Sequence, residues 1–191
     1  EYDHALAEDV HALRNLRDTG EERTTDVPEP VGSDSGHAML ARATADGWPD
    51  VVMVGFNLLN PSARRTVLPQ TRERGIGTLT MFAVRRALSR PDRLRETLRQ
   101  LADEGAIPPH LAEAEDPLGF LTAGPGAARS LVEAAYRFAA HEPGLDVPLT
   151  GTGDVAHLEQ NVAAILATRL PDAPLRRLRE LFGDVDTVSG N

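Results

Sequence analysis

The sequence predicts an α/β protein in which parallel strands are wrapped by helices, arranged as about four β–α units followed by a C-terminal helix. Three observations predict it. Asp50 to Val84 reads as strand, loop, helix, loop, strand, with the β-branched run Val51-Val52-Met53-Val54 at one end and an apolar run from Thr78 to Phe82 at the other. Both runs are apolar at consecutive positions, which is the pattern of strands buried on both faces in a parallel sheet. The helix between them is roughly a dozen residues, the length a parallel crossover requires.

The elements follow in order. Leu6, Val10, Leu13 and Leu16 recur at helical spacing over residues 3 to about 18, and Gly20 ends that helix. Residues 23–26 occupy the place of a first strand, although Glu21 to Asp26 is polar for a buried one. Pro30 to Ser35 is a loop, and a short helix with Met39, Leu40 and Ala43 on one face precedes the strand at 51–55. Asn60 before Pro61 suits a helix start, where proline's missing N–H costs nothing. Gly75 and Gly77 punctuate the way into the strand at 78–82. Pro91 opens a helix bearing Leu94, Leu98 and Leu101, which Gly105 closes. Residues 106–126 are rich in proline and glycine and read as one long connection, the kind that serves as a lid or moves. A helix from about Ala127 to Ala140, a short strand at 147–150, a helix capped by Asp154 with Leu158, Val162 and Ile165 facing inward, and a last helix from Asp172 complete the chain.

Composition bounds the function. The 191 residues read as a single domain, residues 1–191, with a net charge of −9 that argues against nucleic-acid binding. There is no cysteine, so neither a disulfide framework nor a cysteine-held metal is available. No apolar run approaches a membrane span and no signal-peptide pattern opens the chain, which reads as cytoplasmic. All 20 basic residues are arginine. The first residue is Glu1 rather than Met, which fits a fragment of a longer chain.

Asp50-Val51-Val52, Phe56-Asn57-Leu58-Leu59-Asn60-Pro61, Gly75-Ile76-Gly77 and Met81-Phe82-Ala83 resemble the sixth and seventh strands of an aldo/keto reductase barrel. Gly151-Thr152-Gly153-Asp154-Val155-Ala156-His157-Leu158-Glu159-Gln160-Asn161 resembles that family's cofactor-binding turn between the last strand and its helix, in the right order. The resemblance implies the C-terminal half of a (β/α)8 TIM barrel, since a closed barrel has eight strands and this chain shows four. It also implies NADP as cofactor, with NAD as the alternative. The matching positions are Gly151, Thr152, Gly153, His157, Gln160 and Asn161 around the adenosine 2′-phosphate and adenine. Met81 and Phe82 fall beside the nicotinamide. Arg85 lies within reach of the pyrophosphate. Asp26 and Pro28 stand where the family has Gly and Ser, a departure that touches the fifth strand and one cofactor contact.

Independently of resemblance, a Gly-x-Gly turn entering a helix offers backbone N–H groups to a phosphate, and it is equally the pattern of a plain tight turn. The histidines have no metal-ligand spacing. The family's Asp-Tyr-Lys-His tetrad lies in earlier β–α units, and no lysine exists in this chain. The expected function is therefore the cofactor-binding part of an NAD(P)H-dependent oxidoreductase acting on a small carbonyl or alcohol. It would be inactive alone and need a missing N-terminal half, or a partner chain, to complete the barrel. The alternative is a catalytically inactive auxiliary protein of the same fold.

Overall fold

The computed structural model describes residues 37–187 and the strand Asp26–Pro28. The helix expected over 3–18, the residues 23–25 of the first strand and the Pro30-to-Ser35 loop lie outside the described residues. Four strands form one parallel sheet in the order β1 (Asp26–Pro28), β2 (Val51–Gly55), β3 (Gly77–Met81) and β4 (Val147–Pro148). Its register pairs Asp26 with Val51, Val51 with Gly77, and Leu79 with Val147. A first strand is present over Asp26–Pro28, overlapping the expected 23–26 at Asp26. Among the described residues β1 pairs only with β2, at the end of the sheet order, a position where a proline is tolerated.

Helices connect the strands on the outside. Helix α1 (Ala38–Asp46) ends at Gly47, whose φ of 69° is the left-handed conformation that lets the chain turn into β2. After β2, Asn57 Oδ1 accepts from the backbone N–H groups of Leu59 (2.9 Å) and Asn60 (3.0 Å), and Asn60 Oδ1 accepts from Ser62 N (3.1 Å). These side-chain turns carry the chain to α2 (Ala63–Thr66), two residues later than Pro61 suggests, and on to α3 (Leu68–Arg74). Between β3 and β4 come α4 (Arg86–Ser89), α5 (Pro91–Asp103), α6 (Pro109–Glu113), a 3₁₀ turn (Gly119–Leu121) and α7 (Leu131–Ala140). Helices α8 (Val155–Ile165) and α9 (Asp172–Phe182) follow β4.

The connection at 106–126 is packed rather than a free lid. Ile107, Leu111, Leu118 and Leu121 are buried, so its apolar residues anchor it to the helical layer. Sequence shows the prolines and glycines clearly but not which leucines find a pocket.

In β2 and β3 one face is fully buried and the other only partly. Val52, Val54, Thr78 and Thr80 point into the helices and are fully or nearly fully buried, whereas Val51, Met53, Leu79 and Met81 on the other face are half-buried. The expectation of two covered faces is thus met on one side. Among the described residues nothing encloses the other, and an apolar run looks the same whether its second cover belongs to the same stretch of chain or not.

Helix α8 departs from expectation in the same sense. Leu158 and Val162, expected to face inward, are each 44% exposed, Val155 is 73% exposed and Leu166 79%. Only Ala164 is buried on this helix. Ile165, expected inward with Leu158 and Val162, is partly buried against the core, so the stripe meets the described core only at its C-terminal end.

Beneath β2 and α7 the core is built on Phe56 and Phe138, stacked with centroids 5.1 Å apart and 7° between planes. The guanidinium of Arg64 lies 5.7 Å from the first ring centroid and 5.5 Å from the second, and it donates to both Glu142 carboxylate oxygens, at 2.6 and 2.5 Å. A cation desolvated against two rings keeps its charge because a bidentate carboxylate answers it. The starts of β3 and β4 are tied together as Thr78 N donates to Asp146 Oδ2 (2.8 Å) and Asp146 N donates to Thr78 Oγ1 (2.9 Å).

Candidate functional site

In a parallel sheet wrapped by helices, ligands gather at the C-terminal ends of the strands. Two segments leave adjacent strand ends here, from β3 into Phe82 to Arg85 and from β4 into Thr150 to Asp154. The hydrogen bond from Leu149 N to Thr80 O (3.0 Å) extends the β3–β4 ladder, so the two segments start side by side.

Met81 is the last residue of β3, on the half-exposed face. Phe82, expected within the strand, lies just past it with φ 65°. A non-glycine residue in the left-handed region is held there against its preference, and it ends the strand by turning the chain out of the sheet. Phe82 is half-buried, and the Arg85 guanidinium stacks 4.0 Å from its ring centroid. Burial lowers the Arg85 pKa from its usual value, and the neighbouring Arg86 lowers it further. Arg85 Nε is buried with no hydrogen-bond partner among the described residues. A guanidinium that is stacked, partly desolvated and short of an acceptor is suited to an anion placed over this strand end.

The second segment is open. Gly151, Thr152 and Gly153 are exposed, and a Cβ built on either glycine would meet nothing within 4 Å, so a ligand can approach their backbone closely. Asp154 caps α8 as expected, accepting from His157 N at 3.1 Å, and Asp154 N donates to Thr152 Oγ1 at 3.2 Å. The backbone N–H groups of His157 and Ala156, in that order, hold the Asp154 carboxyl below the usual carboxylate range. The chain's own carboxylate therefore takes up donors at this helix start that the sequence alone leaves free for a phosphate. His157 and Gln160 are exposed on α8.

Asn161 is half-buried and turned inward. Its Nδ2 donates to Thr150 Oγ1 at 2.9 Å, and the same hydroxyl shares a 2.8 Å hydrogen bond with Tyr136 Oη on α7. Asn161 thus ties the helix to the strand end, and Thr150 and Tyr136 are site-supporting residues that no motif marks. The one signal available was the short polar Thr150 just ahead of Gly151, eleven residues before Asn161.

The cap has a measurable consequence. Because the folded-state pKa of Asp154 is depressed, its stabilisation of the α8 start is present above the unfolded value and is lost as pH falls through the folded value. The His157 amide proton is expected to shift in NMR spectra with an apparent pKa below the ordinary aspartate value of about 3.9. Asp154→Asn should abolish that titration, and a midpoint at or above the ordinary value would contradict the cap.

Among the described residues no group of three or more His, Asp or Glu side chains is placed to hold a metal ion, and no helix is long and apolar enough to cross a membrane.

Among solved structures the chain is similar to the holo form of aldo-keto reductase AKR11C1 from Bacillus halodurans, at 18% identity and a TM-score of 0.60, over 95% of this chain and 58% of that one. It is also similar to an aldo-keto reductase from Klebsiella pneumoniae in complex with NADPH, at 18% identity and a TM-score of 0.56, over 96% of this chain and 57% of that one. A third is an aldo/keto reductase from Klebsiella pneumoniae in complex with NADP and acetate, at 18% identity and a TM-score of 0.55, over 93% and 54%. The chain therefore spans less than two thirds of the length of each. At such identities the likeness is one of fold. No curated protein matches the chain. The family model described as the aldo/keto reductase family matches residues 1–182, nearly the whole sequence, and by that match the chain belongs to the aldo/keto reductase family.

Proposed function

We propose that this chain is the cofactor-gripping C-terminal half of a (β/α)8 barrel oxidoreductase, which transfers hydride between NADP(H), or NAD(H), and a small carbonyl or alcohol. The carrying observation is the pair of adjacent strand ends, one presenting Arg85 with its buried, unpartnered Nε and the other the open Gly151–Gly153 turn running into a capped helix. The residues present fit a dinucleotide. Arg85 supplies a guanidinium for the pyrophosphate, and the Gly151 and Gly153 amides with Thr152 supply donors for a further phosphate or ribose. His157 and Gln160 present polar edges for the adenosine end. The Asn161 Nδ2 group is already engaged with Thr150, which leaves its carbonyl oxygen for an adenine amine. Met81 and Phe82 offer a polarizable and an aromatic surface to the nicotinamide.

When bound, the nicotinamide supplies the hydride; this half holds and orients it. The family's proton-relay tetrad contains a lysine, and this chain has none. The proton donor has to come from a segment that completes the barrel, so the chain alone binds cofactor without turning substrate over. The half-exposed inner face at Met53, Leu79 and Met81, the β4 edge, and the outward stripe of α8 support a missing N-terminal half, or a partner chain, as the cover. Asp26 and Pro28, standing where the family has Gly and Ser, favour the auxiliary-protein reading, in which the fold persists without chemistry.

NADPH fluorescence is the appropriate reporter, because Trp48 precedes β2 at the opposite end of the strand from this site. Titration of the chain is expected to enhance the emission. Arg85→Gln should weaken binding about tenfold or more, the worth of a charge-assisted hydrogen bond. No response from the chain alone or with a supplied N-terminal half removes the cofactor reading.

A further inference from the structure

A second concave site lies on the helical side of the molecule, where α3, the C-terminal end of α7 and α9 converge. It is a cleft of about 380 Å³, lined by the arginines Arg64, Arg72, Arg137, Arg169 and Arg179 against a single carboxylate, Glu142. It shares no residue with the strand-end site. The ordinary explanation of clustered arginines is internal pairing, and it accounts for three of the five: Arg64 with Glu142, Arg137 with Glu133, and Arg169 with Asp172 at 2.6 Å. Arg72 and Arg179 line the cleft with no direct ion pair and no side-chain hydrogen bond among the described residues, although the charge of Arg179 acts at longer range on the Asp172 carboxylate.

Arg72 and Arg179 both lie in the last turn of their helices, where the dipole favours positive charge, but that preference is modest and says nothing about two such residues lining one cleft. Arg72 is held in place by the turn opposite. Gly144 sits at φ 96°, and a Cβ there would come within 2.8 Å of Arg72 Cδ, so the turn is bare where the arginine stem runs. The framework around them is rigid as well, with Arg64 locked on two rings and Arg137 bonded to backbone carbonyls. Leu68 and Leu175 give the cleft an apolar wall.

We infer that this cleft binds a small organic anion bearing phosphate or pyrophosphate, with Arg72 and Arg179 as its direct ligands. Concave clusters of one charge raise the local concentration of counter-ions, and the planar guanidinium fork matches phosphate oxygens two at a time. The volume is at the small end for ligand sites, which fits a metabolite with a short carbon skeleton. A polymer such as nucleic acid is disfavoured by the chain's overall net charge of −9.

The test is calorimetric titration of the 191-residue chain with inorganic pyrophosphate at fixed ionic strength, with sulfate as the comparison anion. The expected result is one site per chain, with pyrophosphate preferred over sulfate. R72Q/R179Q should weaken it at least about tenfold, as two charge-assisted contacts require. Because pyrophosphate could also visit Arg85, the titration is repeated on Arg85→Gln, which should leave the affinity unchanged while abolishing or weakening that of NADPH. Both substituted residues are exposed, and circular dichroism checks that the double variant retains the wild-type melting point; if it does not, R179Q alone carries the comparison. No binding, equal binding by R72Q/R179Q, or loss of binding in Arg85→Gln overturns the inference and leaves the cofactor reading to its own titration. Equal, non-stoichiometric uptake of both anions, an adventitious ion only, overturns it too.

Discussion

Phe56→Ala is expected to destabilise the protein by about 3–5 kcal/mol, the cost of emptying a buried aromatic site. Phe56 is fully buried and stacked on Phe138, so the truncation removes its own burial and one side of that stack. It also uncovers Arg64, whose guanidinium lies over both rings while pairing with Glu142. The collapse that normally softens a cavity is restricted here, because the residues around it are tied to three elements: β2, α2 and the turn after α7. Against a domain stability of about 5–15 kcal/mol, the loss is a large fraction of the whole. Urea unfolding followed by circular dichroism should show a much lower midpoint at an unchanged slope. Phe56→Leu, which keeps much of the volume but not the stacking, should fall between. A cost of under about 1 kcal/mol for the alanine variant would mean that the stack does not organise this core.

Phe56 also shows what the sequence can and cannot say. The strand Val51–Gly55 and the turn behind it were readable because β-branched residues, Asn60-Pro61 and the Gly75-to-Gly77 pair each state a local backbone preference. The cap at Asp154 was readable for the same reason, since its partner is three residues away. The contact between Phe56 and Phe138 was not, because it joins residues 82 positions apart and neither periodicity points to the other. Helix α8 fails differently. Leu158 and Val162 keep perfect helical spacing, yet spacing defines a face without saying what meets it. In the candidate site, glycines and charged residues were visible as types. The left-handed Phe82, the stacking of Arg85 upon it, and the inward turn of Asn161 onto Thr150 are tertiary events that no local preference announces.

The other large effect concerns Arg137, and here the physics is that of a buried charge rather than a cavity. It is nearly fully buried on α7, donating to Thr168 O (2.7 Å), Gly126 O (2.9 Å), Arg169 O (3.2 Å) and Glu133 Oε1 (3.3 Å). One side chain thus fastens α7 to the segment before it and to the α8–α9 connection. Arg137→Met keeps much of the volume but leaves three carbonyls without their donor and Glu133 with Arg129 alone, and the expected cost is about 3–5 kcal/mol. Arg137→Lys has three donors for four acceptors and lacks the planar fork, so it should recover only part of the loss. The effect reaches the site because Tyr136, next on the same helix, holds Thr150 beneath the Gly151 turn. NADPH affinity should therefore fall along with the unfolding midpoint in Arg137→Met, whereas Arg85→Gln lowers affinity and leaves the midpoint in place. If Arg137→Met proves as stable as the parent, the four hydrogen bonds do no more than offset the desolvation of the guanidinium, and the anchoring of the turn has to come from Tyr136 and Asn161 alone.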